Sequence, residues 1–181
     1  MIKRENIRYR KLGLDDFAPT LLARFKRYQE TTRVWYQEEG HFHVKNDHFI
    51  DEWDDGKKLL VIQELRECVA SGGAVVGAFV DHELIGFANV QNELFGSSMQ
   101  YVELPYIHVS SEARKTGIGK KLIELACEEA RLLGAEKLYI AAHPSEETQH
   151  FYRSVGCTYA EEINQSILER EPLDIQLELT L

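Results

Sequence analysis

Arg114-Lys115-Thr116-Gly117-Ile118-Gly119-Lys120 is the stretch on which the reading of this chain turns. It follows an apolar, strand-like segment, Leu104 to Val109, and runs straight into an amphipathic helical pattern. A strand, a basic glycine-containing turn and a helix N-terminus together make a phosphate cradle. Gly117 and Gly119 carry no Cβ, so a ligand can approach the backbone and unusual φ/ψ values are cheap. The first-turn N–H groups have no partner inside the helix, and the macrodipole adds roughly half a positive charge there. Arg114, Lys115, Lys120 and Lys121 add formal charge to the same turn.

Three phosphate-binding patterns compete for it. A Walker loop, G-x-x-x-x-G-K-[ST], would put Arg114 at its first glycine and Lys121 at its Mg²⁺-binding hydroxyl. A dinucleotide fingerprint, G-x-G-x-x-G, would put Leu122 at its third glycine. The pattern [Q/R]-x-x-G-x-[G/A] is met at every fixed position by Arg114, Gly117 and Gly119. Downstream, a helical pattern to about Leu133 stops at Gly134, and Lys137–Ala142 reads as a short buried strand. The run from Ser145 to Cys157 follows, with Phe151, Tyr152 and Gly156 in the register of N-x-x-A-x-x-F-Y-x-x-x-G-F. Ser145, Thr148 and Cys157 depart from that block, although Ser145 can still cap the helix. Two motifs in this order and separation resemble the GNAT superfamily of acetyl-CoA-dependent N-acetyltransferases. The resemblance is strong over residues 84–160 and weak before residue 74.

At 181 residues the chain is expected to form a single N-acetyltransferase domain, 1–181. Such a length buries roughly 70% of the unfolded surface. No apolar run approaches the ~20 residues of a membrane span, and the N-terminus lacks a signal-peptide core. Cys68, Cys127 and Cys157 are odd in number and widely spaced, which favours free thiols and a cytoplasmic location. A net charge of −9 argues against nucleic-acid binding and mildly favours cationic substrates.

The spacing predicts a first helix from Asp15-Asp16 to about Tyr36, then an irregular or short-helical stretch over 38–55. A second helix is expected over 57–70, ended by Gly72-Gly73. Strands follow at 74–80 and 84–90, joined as a hairpin by Asp81-His82-Glu83, and at 101–109. Further strands are expected at 157–163 and 174–181, and an additional first strand near Ile7–Leu12. The order implies an α/β (α+β) domain. The resemblance makes this a GNAT fold: a mixed, mostly antiparallel twisted sheet of six to seven strands flanked by about four helices.

Acyl transfer from a thioester to an amine needs a neutral amine, a donor for the developing oxyanion, a proton for the thiolate and in-line positioning. The resemblance implies that Ile107, His108 and Val109 pair with the pantetheine arm of acetyl-CoA, with the oxyanion donor a backbone N–H near Val109. It gives the pyrophosphate to Arg114, Lys115, Thr116, Gly117, Ile118, Gly119 and Lys120. Ser145, Thr148, Phe151 and Tyr152 join the cofactor site from the second block, with Tyr152 protonating the leaving thiolate. Pro105 suits a bulge that opens the slot. Glu103 leads as general base: it is an acid inside an apolar strand, and the family's histone acetyltransferase branch has its glutamate there. His143 is the rival base or water-relay member. Strand alternation turns His108 away from Val109.

For the acceptor, the resemblance points to Trp35, Tyr36, Tyr101, Glu103 and His143, within a wider set of aromatics and carboxylates over 35–53. Aromatics beside carboxylates suit an ammonium group. His41, His43 and His48 lack companion ligands at metal-binding spacing, so no metal is expected. Glu161, Glu162, Asp174 and Glu178 read as solvated faces of the end strands. The expected activity is acetyl transfer to a primary amine of a small, cationic molecule. A protein (lysine or N-terminal) acetyltransferase and a non-catalytic acyl-CoA sensor are the alternatives. The alternation Ile175, Leu177, Leu179, Leu181 leaves open whether the last strand pairs across a homodimer.

Overall fold

Residues 6–181 are described by a computed structural model with ten strands and four α-helices. In chain order the strands are β1 (Arg8–Lys11), β2 (Tyr28–Glu38), β3 (His41–Glu52), β4 (Ala74–Val80), β5 (Glu83–Val90), β6 (Tyr101–Glu103), β7 (Ile107–Val109), β8 (Lys137–Ala142), β9 (Thr158–Tyr159) and β10 (Ile175–Thr180). The helices are α1 (Asp55–Ala70), α2 (Ile118–Leu132), α3 (Glu146–Ser154) and α4 (Gln165–Arg170). Among the described residues no helix is long and apolar enough to cross a membrane.

Two four-stranded sheets, β1-β4-β5-β7 and β6-β8-β10-β9, are joined through the single chain segment that makes β6 and β7. Every pairing is antiparallel except β6 with β8. The strand expected over 101–109 is therefore broken at Leu104-Pro105-Tyr106. Pro105 has no N–H for a ladder. The buried Asn89 on β5 holds the break: its side-chain oxygen accepts from the Tyr106 N–H at 2.9 Å, and its own N–H reaches the Tyr106 carbonyl at 3.1 Å. On the other side the Leu104 N–H reaches the Tyr139 carbonyl on β8 at 2.9 Å. Beyond that point β7 follows β5, β8 goes its own way, and a slot opens between them.

α2 covers this junction. Ala126 and Ala130 pack with Val102, Leu138, Ile140 and Leu177, while Ile118 and Leu122 pack on Val76, Ala78 and Ala88 of the other sheet. α1 closes the opposite face of the first sheet through Val61, Ile62 and Leu65 against Val75 and Phe87.

The N-terminal part departs from the expectation. The first helix does not form: Leu14–Asp16 is a single 3-10 turn, and 28–52 is a β2–β3 hairpin. Thr31, Thr32, Val34, Trp35 and Tyr36 are β-branched or aromatic, and their strand preference outweighs the helical spacing seen in sequence. Glu39 and Gly40, both at positive φ, make the two-residue turn between the strands. The connection 164–173 holds a short helix that the sequence reading missed, α4, capped by the Asn164 side chain. The strand expected over 157–163 shrinks to β9.

Leu138 is fully buried on β8, between β6 and β10. Leu138→Ala should cost about 3 kcal/mol by the usual cavity rule, read as a lower urea midpoint with unchanged m-value.

Candidate active site

The cradle has the local geometry its sequence demands. Gly117 is the N-cap of α2 at φ 91°, and Lys115 is also left-handed at φ 62°. The N–H groups of Ile118, Gly119 and Lys120 have no intrahelical acceptor and are free for an anion. At Gly119 the missing Cβ serves packing: a methyl there would stand 3.1 Å from the Phe151 ring. The Arg114 side chain turns back along β7, its Nε reaching the Val109 carbonyl at 3.4 Å.

A cleft of about 420 Å³ runs from this cradle along β7 to α3. It gathers Ile107, His108, Val109, Arg114, Lys115, Gly117, Ile118, Gly119 and Lys120 with Thr148, Phe151 and Tyr152. Two of the expected residues stay outside it. Thr116 folds back on the Ala113 carbonyl at 2.6 Å, and Ser145 is the α3 N-cap, accepting from the Thr148 N–H at 3.2 Å. The cleft also takes in Arg27 and Gln29, which the sequence reading did not single out.

The β5–β7 register decides which backbone groups face the slot. His108 pairs with Phe87, Tyr106 O accepts from Asn89, and Ser110 N donates to Ile85. In an antiparallel ladder such bonded residues alternate with unbonded ones, so the N–H and C=O of Ile107 and Val109 point into the slot. The His108 ring lies on the other face, edge-on to Trp53 at 4.8 Å. Burial, reinforced by Arg27, pushes its pKa well down and keeps it neutral.

Tyr152 is buried at the inner wall, and no hydrogen bond engages its hydroxyl among the described residues. Burial, with Cys157 and Asp174 adding to it, raises its pKa, so the phenol stays protonated.

A second cleft, about 560 Å³, opens on the other side of the strand break, lined by Glu103, Leu104, Pro105 and Tyr106. Glu64, Glu67, Glu171 and Asp174 also face it, so five carboxylates stand against two cations, Lys57 and Arg170. Glu103 is not free there: Arg170 of α4 is ion-paired with it. Burial raises the Glu103 pKa and Arg170 opposes that rise. Asp174 has no side-chain partner among the described residues, and burial together with Glu171 and Asp51 pushes its pKa up to about 7.

His143 is engaged on both nitrogens. Its Nδ1 accepts from the Ser145 N–H at 3.1 Å, which leaves the proton on Nε2, 3.3 Å from Asp51 Oδ2. A neutral imidazole so placed has no lone pair left for an amine. Trp35 carries Arg153 over its ring at 4.4 Å and packs on the core, and Tyr36 lies beside His43 on the hairpin. Tyr101 is fully buried and donates to Glu178 at 2.5 Å. These three line neither cleft. Glu178, read from sequence as solvated, is buried and accepts from Tyr101, Lys137 and the Glu161 N–H.

The sequence model of the acetyltransferase (GNAT) family matches residues 23–157. The chain belongs to the GNAT acetyltransferase family. No functionally curated protein matches it. Among solved structures, nourseothricin acetyltransferase is 19% identical, with a TM-score of 0.69 over 97% of this chain and 98% of that one. A putative streptothricin acetyltransferase from Bacillus anthracis str. Ames, in complex with acetyl coenzyme A, is 15% identical with the same TM-score of 0.69 and coverages of 97% and 98%. An aminoglycoside 6'-N-acetyltransferase complexed with coenzyme A is 18% identical, with a TM-score of 0.51 over 66% of this chain and 78% of that one. At these identities the likeness is one of fold.

Proposed function

We propose that this GNAT protein transfers the acetyl group of acetyl-CoA to a primary amine of a small polycationic molecule. The observation that carries the reading is the meeting of two clefts of opposite charge at one strand break. The cationic cleft suits a diphosphate and a pantetheine arm: three free N–H groups, basic side chains around them, and an unpaired strand edge at Ile107 and Val109. The carboxylate-lined cleft suits an acceptor with several ammonium groups. The named substrates of the nourseothricin, streptothricin and aminoglycoside acetyltransferases agree with such an acceptor.

Acetyl-CoA supplies the acyl group as an activated thioester. The Ile107 and Val109 N–H groups face the slot as donors for a carbonyl oxygen gaining charge. Tyr152, kept protonated by burial, delivers a proton to the departing sulfur. Asp174, rather than the Arg170-bound Glu103, takes a proton from the acceptor ammonium; a base works best when its pKa lies near the working pH.

Thiol release with a panel of nourseothricin, aminoglycosides, polyamines, single amino acids and an N-terminal peptide tests the acceptor class. Polycations should give the highest kcat/KM, and rising salt should lower it as the carboxylates are screened. Preference for the peptide would favour protein acetylation. Acetyl-CoA binding with no release across the panel would favour a sensor.

Tyr152→Phe should lower kcat by about a hundredfold while leaving acetyl-CoA affinity within about threefold. Unchanged turnover removes the hydroxyl from the reaction.

The parent's kcat/KM should rise with pH through about 7, as Asp174 loses its proton and becomes a base. Asp174→Asn should abolish that acidic limb and Glu103→Gln should keep it. The reverse result would return the role to Glu103.

A further inference from the structure

Arg27 is a buried cation that no side-chain hydrogen bond or close ion pair holds among the described residues, with Asp51 acting on its charge. Only 8% of the residue is exposed, and its Nε and Nη1 are both shielded from solvent with no hydrogen-bond partner. No carboxylate of the described residues forms an ion pair with it. Its place is nonetheless fixed on both sides by backbone bonds. The Arg27 carbonyl accepts from the Trp53 N–H at 3.1 Å. The preceding Lys26 donates its N–H to Ser110 Oγ at 3.0 Å, and its carbonyl accepts from the Ser111 N–H at 2.9 Å. The chain at 26–27 is thus stitched to the ends of β3 and β7, and Arg27 lines the cleft together with His108 and Val109.

Burying an arginine with open N–H groups is costly, and such groups persist where a ligand completes them. Its surroundings narrow the ligand's position. Arg27 is the leading charge felt by His108 on β7, and it also acts on His143 just after β8. Arg27 lines the same cleft as Ile107, His108 and Val109, whose strand edge offers the Ile107 and Val109 N–H groups. The diphosphate cradle, by contrast, has its own donors at residues 118–120.

Resting on the acetyltransferase reading above, we infer that Arg27 is a second oxyanion donor, acting with the β7 backbone on the thioester oxygen. When the amine nitrogen bonds to the carbonyl carbon, the carbonyl π pair moves onto oxygen, where Arg27 meets the negative charge. That pair then returns to carbon as the C–S bond breaks, the sulfur leaves with the bonding electrons and takes the Tyr152 proton, and the extra proton shed by the nitrogen restores the phenol. The guanidinium gains and loses no proton. Arg114 and His108 supply no substitute, because Arg114 is turned to the Val109 carbonyl and His108 packs on Trp53.

The test uses the whole chain and its Arg27→Gln and Arg27→Lys variants. Infrared difference spectra with acetyl-CoA labelled at the carbonyl carbon report the oxygen directly and need no acceptor. The carbonyl stretch should move to lower wavenumber on binding the parent and lose most of that shift in Arg27→Gln. Turnover with the best amine should fall about a hundredfold in kcat, with calorimetric affinity for free CoA changed less than about threefold. An unshifted carbonyl in the parent, or equal shifts in parent and Arg27→Gln, overturns the inference. A parallel loss of CoA affinity also overturns it and assigns Arg27 to the phosphates. If no amine is turned over while the carbonyl shift is present and depends on Arg27, the acyl-transfer reading fails and the Arg27 contact stands. Retained CoA binding certifies that Arg27→Gln is folded; should it fail to fold, Arg27→Lys carries the same comparison.

Discussion

Everything in this molecule that resembles a reaction centre depends on the break between β6 and β7. Asn89 grips Tyr106 on one side of Pro105, and Tyr139 holds Leu104 on the other. Two sheets therefore share one strand and then part. An unpaired strand edge is ordinarily a liability that invites aggregation. Here α3 and the β2–β3 hairpin shelter it, so that N–H and C=O groups without sheet partners are left facing the cleft. The hairpin is itself fastened to the far wall: Trp35 N donates to the Pro144 carbonyl at 2.8 Å, and Gln29 Nε2 reaches Ser145 Oγ at 3.0 Å.

What could be read in the sequence was what is decided locally. The cradle of residues 114–120 needs only its own glycines, its own cations and the helix that follows, and it lies where it was expected. The strands from Ala74 onward alternate or run apolar in a way their neighbours reinforce. The β2–β3 hairpin illustrates the opposite case. Leu21, Leu22 and Phe25 lie at helical spacing with the residues after them, yet Pro19 and the Thr31-Thr32 pair disfavour a helix. The alternation of Phe42 and Val44 was the available signal. It was obscured because the opposing strand breaks its own rhythm at Thr31–Arg33.

The carboxylates of the second cleft show why side-chain chemistry is harder to foresee. Glu103 looked free because nothing near it in sequence is basic, but Arg170 arrives from a helix 67 residues later. Asp174 looked solvated as one of the carboxylates on the end strands. The fold buries it and brings Glu171 and, from β3, Asp51 close enough for their charges to hold its proton. Arg27 gave no signal at all, since an arginine in a basic run such as Arg24, Lys26 and Arg27 is ordinarily exposed. In each case the decisive fact is a partner gained or missing across the fold.

Charge arrangement links these details to the acceptor. A net −9 chain repels anions at long range, so the diphosphate end has to be won locally. In the proposed reading, Arg114, Lys115, Lys120 and the α2 N-terminus supply that attraction within the ~8 Å over which charges act at physiological salt. The opposite cleft carries a surplus of carboxylate, Glu64, Glu67, Glu171 and Asp174, which would draw in the proposed polycationic acceptor. A carboxylate surplus also disfavours release of an amine's proton, since ammonium is stabilised by its neighbours. In the proposed reading, Asp174, with its elevated proton affinity and its charge felt at Tyr152, offsets that penalty. An acidic cleft without such a group would hold a polyamine firmly and leave it too protonated to react.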